Sequence, residues 1–391
     1  MTNSTDTETT GRYLVLLEPG AVEEGADALN RFAGLRLAGT PATSGAAADQ
    51  LDGIMLPELG VAVVTMDPDQ AAQLIRATAA PGPITIVEPE RVVTAIGPAA
   101  PAMQPGAIEE TRLTWGLQAI GAATSTATGA GVRVAVLDTG LDLNHPDLTG
   151  RTVVSKSFVP GQQVQDGHGH GTHCIGTACG PRSPATLPGY GVAFGSQIYA
   201  GKVLSNAGSG ADGGILEGIS WAATNGCRVV SMSLGAPTRP GQPYSQVFEQ
   251  AARRAMQLGT LIIAAAGNES NRSRGYIAPV SHPANCPSIM AVGAVDVQGR
   301  IANFSCGTVD NIGKVDIAGP GVDVYSSWPM PTRYRRISGT SMATPHVAGV
   351  AALIAGQQQV PPDQVWVRLT QTARRLTLPS TDVGAGLVQA P

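Results

Sequence analysis

Apolar positions along this chain come in two textures. Through the first hundred residues they form short strand-like runs separated by helix-like stretches: YLVLL (13–17), a helical pattern over 21–33, GVAVVTM (60–66) and ITIVEPERVV (84–93). Asp67 and Pro68 precede QAAQLIRAT as a helix start. The Gly/Ala/Thr-rich stretch between the first helix and the second strand reads as loose. Strands alternating with helices predict a small α+β sandwich, roughly of the ferredoxin-like type, over residues 12–96. Residues 1–11 are polar and read as a disordered tail. Residues 97–111, rich in Pro, Ala and Gly, read as a linker.

Beyond the linker, residues 112–391 carry nearly continuous apolar runs: VRVAVLD (132–138), QIYAGKVL (197–204), CRVVSMSL (227–234), TLIIAAAG (260–267) and SIMAVGAV (288–295). Helix-compatible segments, such as 213–226 and 244–259, lie between several of them. Strands apolar on both faces and alternating with helices predict a parallel sheet in an α/β domain. In such sheets the chemistry collects at the carboxyl ends of the strands.

At 391 residues the chain exceeds what one core usually supports, in keeping with two domains. The net charge of −4 divides into −10 over residues 1–110 and +6 over the remainder, so the two parts should attract. Basic residues are scattered, which argues against a nucleic-acid partner, and no apolar run approaches membrane-spanning length. The start MTNSTDTETT shows neither a basic nor an apolar leader segment. Five cysteines without C-x-x-C spacing predict buried free thiols.

Four places carry candidate chemistry. Asp138 ends a buried strand, where an Asp caps a helix about as readily as it catalyses. In DGHGHGTHCIG (166–176), three histidines raise a zinc reading, but no H-E-x-x-H occurs and His168 and His170 do not share a helix face. His170 otherwise opens a helix after a glycine turn. Ser341 stands at the start of a small-residue helix, where backbone N–H groups favour a developing oxyanion, though a cap is the plainer reading. Asn268 ends the run AAAGN. A serine nucleophile needs a histidine base, an aspartate to orient it and oxyanion donors, and these four supply that set.

VLDTGLDLNHPDL (136–148), GHGTHCIGT (169–177), SMSLG (231–235), AAAGNE (264–269) and GTSMATPHVAG (339–349) resemble, in order, the signatures of the subtilase family. HGTHC is similar to the proteinase K branch. The resemblance implies a subtilisin-like parallel sheet flanked by helices and a serine endopeptidase acting through an acyl-enzyme, with Asp138, His170 and Ser341 as catalytic residues and Asn268 in the oxyanion hole. It implies that substrate backbone pairs with Gly208, Ser209 and Gly210 on one side and Ser233, Leu234 and Gly235 on the other. Ala236, Ala265, Ala266 and Gly267 would wall the pocket for the side chain before the scissile bond, with Ser281 near its base and Glu269 at its rim. Large apolar residues should be preferred there. Asp212 stands where many relatives carry an aromatic, and suggests a tilt towards basic side chains three residues further upstream.

Residues 12–96 resemble a subtilase propeptide, which implies a self-processing zymogen: 97–110 would thread the active site and maturation cleavage would fall within 97–111. No cofactor is implied for the chemistry. Structural calcium is implied at Asp316 with the carbonyls of Pro287 and Ile289. Expected partners are protein or peptide substrates and the chain's own propeptide, without membrane association, in a monomer. The family is mostly secreted, while the visible start leaves a cytoplasmic location open.

Overall fold

The computed structural model describes residues 9–39, 51–97 and 109–391. The first domain runs β1 (Thr9–Leu17), α1 (Val22–Ala33), β2 (Leu37–Ala38), β3 (Gly53–Leu56), β4 (Val61–Thr65), α2 (Pro68–Ala77) and β5 (Ile84–Ala95). Asp67 caps α2 through a reciprocal bond with Gln70, as its sequence signature predicts. The sheet order β5-β1-β4-β3-β2, with β1 antiparallel to both neighbours, agrees with the ferredoxin-like expectation. Two expectations are corrected. Thr9–Gly11 belong to β1 rather than to a tail, because Thr9 pairs with Arg91 across the sheet and the Thr10 hydroxyl bonds Glu90. The stretch read as loose contributes β2 and β3, which are ordered by pairing with each other and with β4.

Alternation along β1 explains how this domain sits. Val15 and Leu17 face α1 and α2 with Leu29, Val64 and Leu74. Leu14 and Leu16 point the other way and join Val61 and Val63 against Ile215, Ile219 and Phe248 of the second domain. Burying each such side chain is worth about 1.5–3 kcal/mol.

The second domain opens with α3 (Trp115–Ala119), β6 (Arg133–Asp138), β7 (Val153–Ser157), α4 (His170–Cys179), β8 (Gln197–Lys202), β9 (Ser209–Ala211) and α5 (Asp212–Thr224). It continues with β10 (Val229–Met232), β11 (Leu234–Gly235), α6 (Gln246–Gln257), β12 (Leu261–Ala265), β13 (Met290–Val295) and β14 (Ile317–Pro320). It closes with the hairpin β15 (Val324–Ser327) and β16 (Tyr334–Ile337), then α7 (Thr340–Gln358), α8 (Pro362–Thr372) and α9 (Ser380–Val383). The parallel sheet has the order β14-β13-β12-β10-β6-β8-β7. Except for the edge strand β7, its strands are largely buried on both faces: Val134 and Val136 of β6 pack towards α4 and α7, and Ala135 and Leu137 towards α5 and α6. Helix α7 is buried from Thr340 to Ala355, as expected of a helix apolar on all sides.

Candidate active site

Three element ends converge. Asp138 is the last residue of β6, His170 the first of α4 and Ser341 the second of α7. All three are essentially inaccessible. The His170 Nδ1–H donates to Asp138 Oδ1 at 2.8 Å. Among the described residues, His170 Nε2 is buried without a partner. Gly169 permits this placement: its φ of +105° is closed to most side chains, and a Cβ there would strike Trp328 at 2.3 Å.

Asp166 braces the start of α4. Its Oδ1 accepts from the Thr139 hydroxyl and the N–H groups of His168 and Gly169, while its Oδ2 accepts from the Thr172 N–H and hydroxyl. Reading the sequence missed this residue. Its position just before a glycine turn and a helix is the signal that was available.

Asn268 follows β12 across Gly267, whose φ is +115°. Its Oδ1 accepts from both the N–H and the hydroxyl of Thr340, at 2.9 Å each, which fixes the amide with Nδ2 facing the cleft. Ser233 lies below: its hydroxyl donates to the Ser341 carbonyl at 2.8 Å.

Strand β5 runs into this cleft. Val92, Val93 and Thr94 pair antiparallel with Ala211, Gly210 and Ser209, while Thr94 and Ala95 pair with Gly235 and Leu234. The Ala95 N–H donates to Gly208 O at 2.7 Å and the Ile96 N–H to Ser233 O at 3.4 Å. The Ser341 hydroxyl donates to Ile96 O at 2.9 Å and reaches Ser233 O at 3.2 Å. Asn268 Nδ2 donates to Gly97 O at 3.0 Å. Among the described residues, the segment in the cleft is 92–97, so the strand enters it before the 97–110 expected. Strand pairing continues because two bare edges, β9 and β11, flank it. Residues 98–108 of that expectation lie outside the described residues.

Comparison with known proteins agrees with this architecture. Residues 129–386 match the subtilase family. The chain belongs to the subtilase family. Subtilisin Savinase of Lederbergia lenta is 42% identical over 281 residues, covering 71% of this chain and 96% of that protein. An alkaline protease of Shouchella clausii is also 42% identical over 281 residues, 71% of this chain and 68% of its own. Subtilisin DY of Bacillus licheniformis is 41% identical over 251 residues, 63% and 85% of the two chains. This subtilase is a serine endopeptidase, a hydrolase of the subtilisin type.

In the subtilase cleft, the side chain of Ile96 enters beside Gly235: a Cβ on that glycine would stand 3.4 Å from Ile96 Cδ1 and 3.6 Å from Ser281 Cβ. Glu269 is exposed, in keeping with a place at the rim, and its carboxylate reaches inward. Its Oε2 accepts from the Ser281 hydroxyl at 3.0 Å and the Cys306 thiol at 3.1 Å, and a Cβ on Gly267 would crowd all three. Burial pushes the Cys306 thiol up, so it donates as a neutral group. Cys306 was missed in the sequence, because nothing near it in the chain marks a pocket.

The Asp212 expectation is also corrected. Its Oδ1 accepts from His282 Nε2 at 2.9 Å and its Oδ2 from the Arg91 N–H at 3.0 Å. Val93, the residue three upstream of Ile96, is buried in an apolar cluster with Leu204, Ile215 and Leu216. No charge faces it from Asp212, whose carboxylate is already occupied.

The five cysteines are all buried and free. Cys174 lies 3.8 Å from His170 Nδ1, and burial raises its thiol. Among the described residues, Asp138, His170 and Cys174 form the one group whose donor atoms cluster closely enough for a metal. His173 turns elsewhere: its Nε2 lies 3.0 Å from Val324 O, and burial drives the ring down to about 3. Asp316 accepts the Ala291 N–H at 2.8 Å, and burial pushes its carboxyl up to about 7. No helix among the described residues is long and apolar enough to cross a membrane.

Proposed function

We propose that the full chain is a zymogen whose first domain inhibits the protease until the chain cuts itself between Ile96 and Gly97. One observation carries this reading: β5 lies as a middle strand between β9 and β11 and delivers the Ile96 carbonyl to the Ser341 hydroxyl at 2.9 Å. The ladder supports taking Ile96 as the residue before the scissile bond, at the upstream edge of the 97–111 region expected for cleavage. Release of the first domain would open the same edges to protein and peptide substrates, whose backbone they hold largely without regard to sequence.

In this reading Ser341 Oγ bonds to the scissile carbonyl carbon while its proton passes to His170 Nε2. Asp138 holds the imidazole by its Nδ1–H and offsets the charge that the ring gains. The Asn268 amide and the Ser341 N–H receive the oxyanion. Collapse breaks the C–N bond, and His170 returns the proton to the leaving amine. Water then hydrolyses the acyl-enzyme, with His170 again as base. The pocket beside Gly235 and Ser281 takes a large apolar side chain, as it takes Ile96. Glu269 gives it an acidic group that a lysine would meet.

Calcium fits at Asp316. A carboxylate desolvated by burial, with one backbone N–H against it, gains from a cation, and the carbonyls of Pro287 and Ile289 would complete the protein ligands. Chelation should then lower the melting temperature, and an unchanged value would remove the assignment.

A fluorophosphonate probe tests the active-site assignment. The processed protein should be labelled and Ser341→Ala should not. Labelling that survives Ser341→Ala would overturn the role given to Ser341.

A further inference from the structure

Counting back from Ile96, Arg91 is the sixth residue before the proposed scissile bond. It lies one residue beyond the last ladder pair, Val92 with Ala211. Where the strand edge ends, side chains take over. The Asp212 Oδ2 accepts the Arg91 N–H at 3.0 Å, in the manner of a neighbouring-strand carbonyl. Arg91 Nη1 lies 3.2 Å from His282 Nδ1, and His282 Nε2 lies 2.9 Å from Asp212 Oδ1.

The chemistry fixes the protons. A guanidinium has no acceptor, so Nδ1 must be the acceptor and the imidazole carries its proton on Nε2, donated to Asp212. The result is a line from carboxylate through neutral imidazole to guanidinium. Asp212 and His282 are essentially inaccessible, and the His282 ring is held edge-on by Phe248 at 4.7 Å. The pair is therefore set in place by the protease domain, and Arg91 reaches it from the first domain.

We propose that Asp212 and His282 form an extended specificity subsite that binds an arginine six residues before the scissile bond of protein and peptide substrates. Once Arg91 leaves, Asp212 Oδ2 and His282 Nδ1 both lose the partners they hold in this structure. An incoming strand with arginine at this position restores both bonds. An apolar side chain restores only the backbone one and covers an imidazole nitrogen that has no donor. The inference rests on the protease reading above.

To test it, the full chain is allowed to process and is then given two peptides, identical except for arginine or norleucine six residues before the cleaved bond. The ratio of kcat/KM should favour arginine by about fivefold, the effect of one partly exposed charged hydrogen bond. His282→Phe, which keeps the ring against Phe248, should bring the ratio close to one. Equal rates in the wild type would overturn the subsite and leave the protease intact, with no dependence on how the variant folds. Failure to cleave either peptide would count against the protease reading itself.

Discussion

The Asn268 side chain uses its two ends differently. Its oxygen is tied to Thr340, so its nitrogen stays turned into the cleft without a search through rotamers, where it meets the Gly97 carbonyl, one residue past that of Ile96. Asn268→Ala should lower turnover by about 10²–10³, the size of the loss when the equivalent donor is removed from subtilisin, a relative of this chain. Single-turnover kinetics would show it, and a change below threefold would contradict the role. At His170, burial favours the neutral ring. The Asp138 carboxylate, with Cys174 second, outweighs it and holds the imidazole well above 6.5. A raised value makes the pair's stabilising effect complete below about 6.5, and that effect is lost as pH rises through the raised value. General-base chemistry needs the neutral ring, so the first-order rate of self-cleavage should climb along an acid limb whose midpoint lies above 6.5. Asp138→Asn should lower both rate and midpoint. A wild-type midpoint below 6.5 would contradict the assignment. Asp138, His170, Ser341 and Asn268 were legible because each stands at the end or the start of a recognisable run. Asp166, Cys306 and His282 were not, since their partners come together only in the folded chain.

Two carboxylates of β5 meet helix starts. Glu88 accepts from the Ser245 hydroxyl and the Gln246 N–H at the head of α6, and Glu90, paired with Arg12, accepts from the Gly213 N–H at the head of α5. Each negative group lies where a helix concentrates unpaired N–H donors. Glu88→Ala should weaken docking of the first domain by about 1–2 kcal/mol and shorten the lag before peptide cleavage appears. An unchanged lag would show that docking does not depend on this contact. The long apolar strands β6, β10, β12 and β13 were readable from their runs. VVSKS of β7 and IAGP of β14 lacked that signal, and β9 and β11 are two- or three-residue edges that become strands by pairing with β5. Reading β5 as ending at Val93 missed Thr94 and Ala95 for the same reason, because their pairing partners lie 115 to 141 positions away.

Across the whole molecule, the charge division along the sequence points to attraction between the domains, and the contacts combine apolar packing with shared strand pairing and hydrogen bonds. Leu14, Leu16, Val61 and Val63 lie on α5 and α6, and the acidic side chains add helix caps at the margin. The first domain is thus held as a core is held, and its last strand occupies the position a substrate would take. Sequence reading expected a small α+β unit ahead of a parallel α/β sheet, and both sheets are present; it set the segment in the cleft at 97–110, where Ala95 and Ile96 already lie. The central claim is that Ser341 cuts its own chain after Ile96. N-terminal sequencing of the full chain during incubation tests this directly. Wild type should yield a new terminus at Gly97 and Ser341→Ala should yield none. A terminus elsewhere, or the same cut in Ser341→Ala, would contradict the account.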